Sequence, residues 1–323
     1  MRRTILVTGS AGFIGAKVAE KLLGQGYKVV GIDNLNGYYD VNLKKYRLSL
    51  LTGEKGFTFH KGDIENRVFL RRIFKKYRFS AVINLAARAG VRYSVENPFV
   101  YMTTNADGTL NLLELCRENN IGKFILASTS SLYAGQKMPF SETLPVNTPI
   151  SPYAASKKAA EAMCYAYHFL HGIDVTILRY FTVYGPAGRP DMSVFRFIKW
   201  IDEGKPIELF GDGSQSRDFT YVDDIAEGTA RALKRVGFQI INLGGDDPYS
   251  IRSVIKLLTG YLGKKTVICR KPFDKSDINA TWADIKKARM ILGWKPHVRL
   301  EEGLKRTVEW YRANKSLVAK IKI

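Results

Sequence analysis

The first predicted strand, turn and helix constrain the fold of this chain more than any other stretch. The apolar, β-branched run Thr4–Thr8 predicts a buried strand, and residues 16–23 have the composition of a helix. Between them, Gly9, Gly12 and Gly15 permit a tight turn, allow a pyrophosphate to approach, and let the helix pack closely on the strand. This glycine spacing is a weak signal alone, but it predicts a nucleotide-binding unit.

An acidic residue, Asp33, follows the second predicted strand at residues 28–32. It lies about twenty residues beyond the glycine turn, where a carboxylate can bind both hydroxyls of an adenosine ribose. A carboxylate there repels a 2′-phosphate, so the predicted cofactor is NAD rather than NADP. An Asp at a strand end is common without a ligand, but the turn, the spacing and the acid together predict a dinucleotide site.

Strands and helices continue to alternate along the chain. Further strands are predicted at residues 57–60, 81–85 and 123–127, with a helix at residues 107–118. The alternation predicts an α/β fold with a parallel, doubly wound sheet, in which ligands bind at the carboxyl ends of the strands. The candidate cofactor-binding residues at the turn and near these ends are Gly9, Gly12, Phe13, Ile14, Gly15, Asp33, Asn34, Asp63, Ile64, Leu85, Ala86, Ala87, Asn105 and Tyr180.

A tyrosine and a lysine, Tyr153 and Lys157, lie four residues apart in a predicted helix and therefore share one face. The ammonium would stabilise a phenolate beside it and lower the pKa of the tyrosine, which could then act as a general base. Only this pair follows an N-cap serine, Ser151, and a proline at the first helical position. The same spacing, which alone equally indicates an exposed helix start, recurs at Tyr133/Lys137, Tyr261/Lys265 and Tyr311/Lys315.

Composition excludes several classes of protein. The 323 residues are 46% hydrophobic, enough for a large core and two lobes. The formal charge of +20 is spread along the chain without a nucleic-acid motif, so a polyanionic small substrate or a thermophilic, lysine-rich surface explains it better than nucleic-acid binding. No apolar run approaches the roughly 20 residues of a membrane span. Strand-like sequence begins at Thr4, so we expect no signal peptide and a cytoplasmic protein.

The three cysteines, Cys116, Cys164 and Cys269, show no paired or metal-like spacing, which fits a reducing compartment. Cys164, His168 and His171 do fall on one face of a predicted helix. A fourth ligand is not nearby in the sequence, and the packing of small and aromatic residues on a buried helix explains the same pattern. We therefore expect no metal.

Five motifs extend the pattern over nearly the whole chain. They are Thr-Gly-x-x-Gly-Phe-Ile-Gly at residues 8–15, Leu-Ala-Ala at 85–87, Ser-Thr-Ser-Ser at 128–131, Tyr-x-x-x-Lys at 153–157 and Tyr-Gly-Pro at 184–186. Together they resemble the extended short-chain dehydrogenase/reductase family, in its nucleotide-sugar epimerase and dehydratase group. The resemblance implies that Thr129 hydrogen-bonds the reacting hydroxyl, that Tyr153 is the base, and that Lys157 assists it; Tyr153 and Lys157 would also contact the cofactor.

The resemblance also implies two interleaved domains. Residues 1–180 with about 219–247 would form a Rossmann-like NAD-binding domain, and about 181–218 with 248–323 a smaller α/β domain for the nucleotide sugar. A strand at residues 239–243 would return to the first domain. A homodimer is implied as well, formed by the helix at residues 107–118 and the helix that carries Tyr153.

The residues after Thr129 separate the activities found in this group. Its dehydratases carry Asp-Glu there because elimination of water needs a further acid or base, and the related decarboxylases keep the Glu. Here the two positions are Ser130 and Ser131. Without a carboxylate to drive elimination, simple redox chemistry at one sugar carbon is favoured.

Other residues point to an acidic sugar. Thr182 stands where galactose-type epimerases usually have Asn, and with Gly-Arg-Pro-Asp-Met after it and the segments at 36–44 and 89–94 it is similar to UDP-glucuronate 4-epimerases. Hydroxyls and an Arg suit a sugar carboxylate, although Arg189 could equally be a solvated loop charge. In the family an Arg and an Asp bind the diphosphate and ribose. The candidate substrate residues are Arg92, Ser130, Ser131, Thr182, Arg189, Arg217 and Asp277.

The resemblance therefore implies interconversion of UDP-glucuronate and UDP-galacturonate through a 4-keto intermediate, with reversible hydride transfer to bound NAD. Three alternatives remain open: a UDP-glucose/UDP-galactose 4-epimerase, a decarboxylating enzyme that makes a pentose, and an NAD-binding regulatory protein that has lost the chemistry. The retention of Thr129, Tyr153 and Lys157 disfavours the last of these.

Overall fold

A computed structural model describes residues 3–272 and 278–323. Its strands β1 to β12 are Thr4–Thr8, Lys28–Asp33, Phe57–Lys61, Ala81–Asn84, Lys123–Thr129, Asp174–Tyr180, Thr182–Tyr184, Ile207–Phe210, Ser216–Tyr221, Phe238–Leu243, Pro248–Ser250 and Ile268–Lys271. Its helices α1 to α13 are Phe13–Gly24, Val41–Ser49, Arg67–Lys76, Val91–Glu96, Phe99–Tyr101, Gly108–Glu118, Pro152–His171, Ser193–Asp202, Val222–Arg231, Ile251–Leu262, Lys286–Leu292, Leu300–Ala313 and Lys315–Val318.

A seven-stranded parallel sheet forms the centre of the molecule. Its strand order is β10-β6-β5-β4-β1-β2-β3, so the order reverses between β1 and β4, where ligands bind in folds of this kind. The predicted doubly wound, Rossmann-like fold is confirmed. The strand expected at residues 239–243 becomes β10 and pairs with β6 at the edge of this sheet, as predicted.

Several predicted element ends differ from those in the structure by one or two residues. Strand β5 runs to Thr129, two residues beyond its predicted end, and all seven of its residues are buried. Helices cover both faces of a parallel sheet, so polar residues can continue a strand when they are hydrogen-bonded. The helix expected from residue 107 is preceded by a π-helical segment, Met102–Asp107, and its α-helical part begins at Gly108.

Helix α7 begins as predicted. The hydroxyl of Ser151 accepts a hydrogen bond from the backbone N–H of Ala154 at 3.2 Å, and Pro152 occupies the first turn. The helix ends at Gly172, whose φ of 67° closes the last turn in the left-handed conformation. The buried face of α7 packs against β5 and β6, which brings the predicted catalytic residues to the carboxyl end of β5.

A second set of strands and helices holds a separate apolar core. Strands β11, β9 and β7 form a three-stranded sheet, and β12 pairs with β8. Helices α8, α10 and α12 pack around them through residues such as Phe195, Leu258 and Leu304. Over the described residues, no helix is long and apolar enough to cross a membrane.

Trp294 anchors the chain after α11 to helix α9. Its side chain is 1% exposed, and its indole N–H donates to the backbone carbonyl of Asp224 at 2.8 Å. We predict that Trp294→Phe lowers the free energy of unfolding by about 2–3 kcal/mol, because it opens a cavity and removes the buried hydrogen bond of the indole. Urea titration measures the change. Trp282→Phe, at a position 37% exposed, is the matched control and should change it by less than about 0.5 kcal/mol.

Candidate functional site

A cleft of about 1060 Å³, open to solvent, lies at the carboxyl ends of the central strands. The glycine turn, the end of β2, the segment after β4 and the start of α7 form its walls. All but one of the predicted cofactor residues line it: Gly9, Gly12, Phe13, Ile14, Gly15, Asp33, Asn34, Asp63, Ile64, Leu85, Ala86, Ala87, Tyr153, Lys157 and Tyr180. Residues far apart in the sequence therefore meet where the strand order reverses.

The glycine turn is tightly folded at the N-terminus of helix α1. A Cβ on Gly15 would lie 2.0 Å from the carbonyl oxygen of Gly9, and one on Gly9 would lie 2.8 Å from the backbone nitrogen of Ala86. Within helix α1, all of which is described, the first turn has no acidic residue, and the N-cap Gly12 supplies no side-chain hydrogen bond. The first N–H groups of the helix are thus available to an anion, as a dinucleotide pyrophosphate requires.

Asp33 is held rigidly at the end of β2. One carboxylate oxygen accepts from the N–H of Ala11 at 3.2 Å and the other from the N–H of Leu35 at 2.8 Å, and the residue is 7% exposed. Each oxygen keeps further acceptor capacity. The side-chain amide of Asn34 donates to Asp63 at 2.7 Å, which ties the ends of β2 and β3 together. The remaining acceptor positions of Asp33 fit the hydroxyls of the adenosine ribose of a dinucleotide.

Asn105 is the predicted cofactor residue that lies behind the wall of the cleft. Its side chain accepts from the N–H of Arg88 at 2.9 Å and donates to the carbonyl of Arg88 and to the hydroxyl of Ser156, both at 2.9 Å. The residue is 1% exposed. It fastens the segment after β4 to helix α7, and its direct contact with a cofactor stays a prediction.

The predicted catalytic residues meet at the inner end of the cleft. The phenol of Tyr153 interacts with Thr129, and the Nζ of Lys157 donates to the backbone carbonyl of Ala127 at 2.8 Å. Burial raises the pKa of Tyr153, while Thr129 and the nearby Arg189 act in the opposite direction. Burial lowers the pKa of Lys157 to about 8. Burial is the largest influence on the pKa of Tyr153, and the Lys157 ammonium donates to a backbone carbonyl. That Lys157 lowers the pKa of the tyrosine stays a prediction.

The two serines that follow Thr129 lie in a 3₁₀ turn, Ser130–Tyr133. Ser131 donates its N–H to the Thr129 hydroxyl at 3.1 Å, and its own hydroxyl accepts from Thr129 at the same distance. A second cavity of about 300 Å³, lined by Thr182 and Met192, shares Phe13 and Arg189 with the main cleft. Thr182 and Arg189 therefore border the second cavity, and Arg189 borders the main cleft as well.

Arg189 is an internal group rather than a solvated loop charge. It donates to the carbonyl of Ala89 at 3.0 Å and to the carboxylate of Asp191 at 3.0 Å. Its guanidinium lies 5.5 Å from the ring centre of Tyr38 and 5.8 Å from that of Tyr39. Asp191 thus already balances the charge that we expected to meet a sugar carboxylate.

The remaining predicted substrate-binding residues that the structure describes are not among those that line the cleft. The guanidinium of Arg92 stacks on Phe210 at 3.8 Å from the ring centre. Arg217 donates to the backbone carbonyls of Ser216 at 2.9 Å and of Asn279 at 3.3 Å. Asp277 lies outside the described residues.

Several lining residues had not been assigned a role from the sequence. Tyr38, Tyr39, Lys44 and Arg88 all reach the cleft. Lys44 is 5% exposed and donates to Asn36 at 3.2 Å, and burial lowers its pKa to about 8. In the sequence, the segment at residues 36–44 is distinguished only by its similarity to UDP-glucuronate 4-epimerases. Cations on the buried side of a short helix look like an ordinary surface pattern in the sequence, so periodicity alone would not have found them.

A dinucleotide cleft with a glycine turn, an acid at the end of β2 and a Thr–Tyr–Lys group at the inner end defines an extended short-chain dehydrogenase/reductase. Residues 6–307 match the sequence model of the GDP-mannose 4,6 dehydratase family, and the chain belongs to that family.

Individual relatives resemble the chain over its full length. It is 57% identical over 319 residues to the UDP-glucuronate 4-epimerase of Thermodesulfobacterium geofontis, covering 98% of this chain and 99% of the relative. The crystal structure of the Bacillus cereus UDP-glucuronic acid 4-epimerase with UDP-glucuronic acid and NAD superposes with a TM-score of 0.91, at 40% identity and 96% and 99% coverage. The Thermotoga maritima UDP-glucose 4-epimerase with UDP-glucose superposes with 0.88, at 34% identity and 97% and 99% coverage.

Cys164, His168 and His171 share one face of helix α7 and are the candidate metal ligands in the sequence. Among residues 3–272 and 278–323, no group of three or more His, Cys, Asp or Glu side chains could hold an ion. Cys164 is buried, and a ring nitrogen of His168 lies 2.8 Å from the carbonyl of Ile173. These contacts belong to the packing of helix α7.

The glycine turn generates a direct test of the cleft. We predict that Gly15→Ala abolishes measurable dinucleotide binding in calorimetry, because the new methyl group cannot coexist with the Gly9 carbonyl 2.0 Å away. Gly24→Ala, at the far end of the same helix, meets nothing within 4 Å and should leave binding unchanged. It should stabilise the fold by up to about 1 kcal/mol. Normal binding by Gly15→Ala would contradict the assignment of the turn.

Proposed function

We propose that this protein is an NAD-dependent UDP-glucuronate 4-epimerase. The single observation that carries the proposal is the position of Tyr153, which interacts with Thr129 and lines the dinucleotide cleft together with Lys157. Ser130 and Ser131 follow Thr129 where an eliminating enzyme would carry carboxylates. The 57% identical relative and the Bacillus cereus complex with UDP-glucuronic acid and NAD support the substrate and the cofactor.

The chemistry follows from the positions of these side chains. Tyr153, as phenolate, takes the proton of the sugar 4-hydroxyl, which Thr129 orients. NAD, when bound, accepts the hydride from the sugar C4 and later returns it. Because burial raises the pKa of Tyr153 in the protein alone, the phenolate depends on positive charge nearby, which Lys157 and a bound nicotinamide ring supply. The 4-keto sugar turns over before it is reduced on its other face.

The carboxylate of the sugar needs its own restraint. A 4-keto uronate is a β-keto acid and loses carbon dioxide unless its carboxylate is held away from the orientation that favours decarboxylation. Thr182, Ser130 and Ser131 would donate hydroxyl hydrogen bonds to it. Arg189 would join them by exchanging part of its contact with Asp191 for the substrate, and it lies between the two cavities where this exchange is possible.

The nucleotide would be bound by the second set of strands and helices. We propose that Arg217 contacts the diphosphate, that Asp277 contacts the ribose, and that Arg92 borders the sugar. The division of the chain follows from this: residues 1–180 with about 219–247 would hold NAD, and about 181–218 with 248–323 would hold the UDP-sugar.

One alternative has a specific observation in its favour. The Thermotoga maritima UDP-glucose 4-epimerase shares the fold at 34% identity, so the same Tyr–Lys chemistry is compatible with a neutral sugar. Against this reading, Thr182 occupies the position usual for Asn, and Arg189 lies close by. A regulatory role without chemistry would not require Thr129 and Tyr153 to remain in contact.

A purified sample incubated with UDP-glucuronate without added NAD tests the function. Chromatography should show UDP-galacturonate accumulating to a stable ratio with the substrate, and no UDP-pentose. Epimerisation of UDP-glucose at a comparable rate would favour the neutral-sugar alternative, and untouched UDP-glucuronate would exclude the proposal.

Tyr153→Phe separates the base from the cofactor site. Removing the hydroxyl should lower kcat by at least about 100-fold, since it removes the general base. The ring and its contacts remain, so bound NAD, measured by absorbance after denaturation, should be unchanged. Substantial residual epimerisation would overturn the assignment of Tyr153.

We also propose a cytoplasmic homodimer formed by helices α6 and α7. Helix α7 exposes an apolar stripe of Ala162, Tyr165 and Phe169, and Phe169 is 75% exposed. Residues at i, i+3 and i+7 share a helix face, so the stripe can pack against its counterpart in a second copy.

Phe169→Glu tests the dimer. Introducing a charge in an apolar contact should convert the dimer to monomer in sedimentation analysis. Val267→Glu changes a residue that is 69% exposed elsewhere on the surface and should leave the dimer intact. A parent protein that is monomeric, or a Phe169→Glu dimer, would contradict the proposed interface.

A further inference from the structure

A buried acidic residue continues the catalytic face of helix α7. Tyr153, Lys157 and Glu161 are spaced by four residues, so their side chains follow one another along one side of the helix. Lys157 and Glu161 are each only 3% exposed. A buried carboxylate is costly unless it is paired, so its surroundings indicate what it does.

Three consecutive residues of strand β5 contact this face of helix α7. Thr129, at its end, interacts with the phenol of the base. One residue earlier, the hydroxyl of Ser128 donates to Glu161 Oε1 at 2.6 Å. One residue earlier again, the carbonyl of Ala127 accepts from Lys157 at 2.8 Å. The contact of Glu161 with Ser128 therefore sets the same helix–strand register that places the base and the lysine.

Arg179 on strand β6 fixes the carboxylate from the other side. Its Nε donates to Glu161 Oε1 at 2.9 Å and its Nη2 to Oε2 at 2.7 Å, and Arg179 is 1% exposed. Arg179 lies directly across from Ser128 in the β5–β6 ladder. A bidentate pair of this kind restricts both position and orientation.

The hydrogen bonds that hold Glu161 extend to a third strand. Arg179 Nη1 donates to the phenolic oxygen of Tyr133 at 2.8 Å, and Tyr133 donates to the side-chain carbonyl of Asn242 at 2.8 Å. Asn242, on β10, lies across from Arg179 in the β6–β10 ladder. The position of Glu161 is therefore fixed, directly or through Arg179, by side chains on three strands of the central sheet and not by its own helix alone.

The charges around Lys157 give the carboxylate a second effect. On α7, Lys157 faces Glu161 and the buried thiol of Cys164; on β6, Arg179 adds a positive charge beyond Glu161; on α6, Cys116 borders Cys164. Burial lowers the pKa of Lys157, and Glu161 opposes this effect. Both thiols are neutral because burial raises the pKa of each.

We propose that Glu161 is a positioning residue for catalysis: held by Ser128 and Arg179, it keeps Lys157 charged and seated beneath Tyr153. This inference rests on the proposed epimerase chemistry, in which positive charge near Tyr153 favours the phenolate. Glu161 itself does not touch the reacting atoms.

The sign of the effect follows from the charges. Glu161→Gln keeps the shape and one acceptor for Ser128 but removes the negative charge. Lys157 then lacks the negative charge that opposes the effect of burial, so its pKa falls below its present value of about 8 and it loses its proton at lower pH. The alkaline limb of the activity profile, which reports loss of the ammonium, should move to lower pH.

The experiment compares the NAD-bound parent protein with Glu161→Gln across a pH series with UDP-glucuronate. We expect the alkaline limb of kcat to move by about one pH unit, with kcat near that limb about tenfold lower and KM within about twofold. NMR of isotopically labelled lysine, with the Lys157 signal assigned by its absence in Lys157→Ala, should show the same shift without any turnover.

Three further variants separate positioning from simple stabilisation. Glu161→Asp keeps the charge, so the Lys157 titration should return toward that of the parent. Glu142→Gln changes a carboxylate at the far end of the network, which accepts from the N–H of Asn242 at 2.8 Å, and should leave the titration unchanged. If Glu161→Gln does not fold, Glu161→Gln/Arg179→Gln removes both members of the buried ion pair, and Lys157 should still shift in the same direction because the charge of Glu161 is gone.

An unshifted Lys157 titration in Glu161→Gln or in the double variant would overturn this role, whatever the change in melting temperature. A parent protein without activity on UDP-glucuronate would instead overturn the proposed function, and the NMR titration would still decide whether Glu161 controls Lys157.

Discussion

The packing of helix α7 against the carboxyl end of strand β5 is the contact on which the site depends. Both faces of the parallel sheet are covered, so the polar end of β5 is buried and must find partners. Helix α7 supplies them at every fourth residue. The register that gives Ala127 and Ser128 their hydrogen-bond partners also places Tyr153 against Thr129. One packing arrangement therefore pairs the buried polar groups and sets the catalytic geometry.

The cleft combines contributions from elements that are distant in the sequence. The glycine turn suits the pyrophosphate of a dinucleotide and Asp33 suits its adenosine ribose, while Tyr38, Tyr39 and Arg189 line another part of the same cleft. Family membership alone would suggest a dehydratase. The serines after Thr129 point instead to redox chemistry that is reversed within one catalytic cycle, which agrees with the UDP-glucuronate 4-epimerase among the relatives.

Much of the fold could be predicted from local patterns. The sheet type, the helix that begins after Ser151 and the return of β10 are all as expected, since periodicity and capping act over a few residues. Errors occurred where tertiary contacts override those patterns. Strand β5 continues through polar residues because neighbouring elements satisfy them. The π-helical segment that contains Asn105 likewise lies outside the local patterns, and the side chain of Asn105 contacts the segment after β4.

The sequence by itself determined the order of strands and helices, the dinucleotide turn and the Tyr153–Lys157 pair, because short-range spacing and backbone preferences encode them. Only the tertiary structure decided the protonation balance at Lys157, the pairing of Arg179 with Glu161, and the position of Arg189 against a carbonyl 100 residues away. Burial and ion pairing depend on which distant side chains meet, and no local pattern records that information.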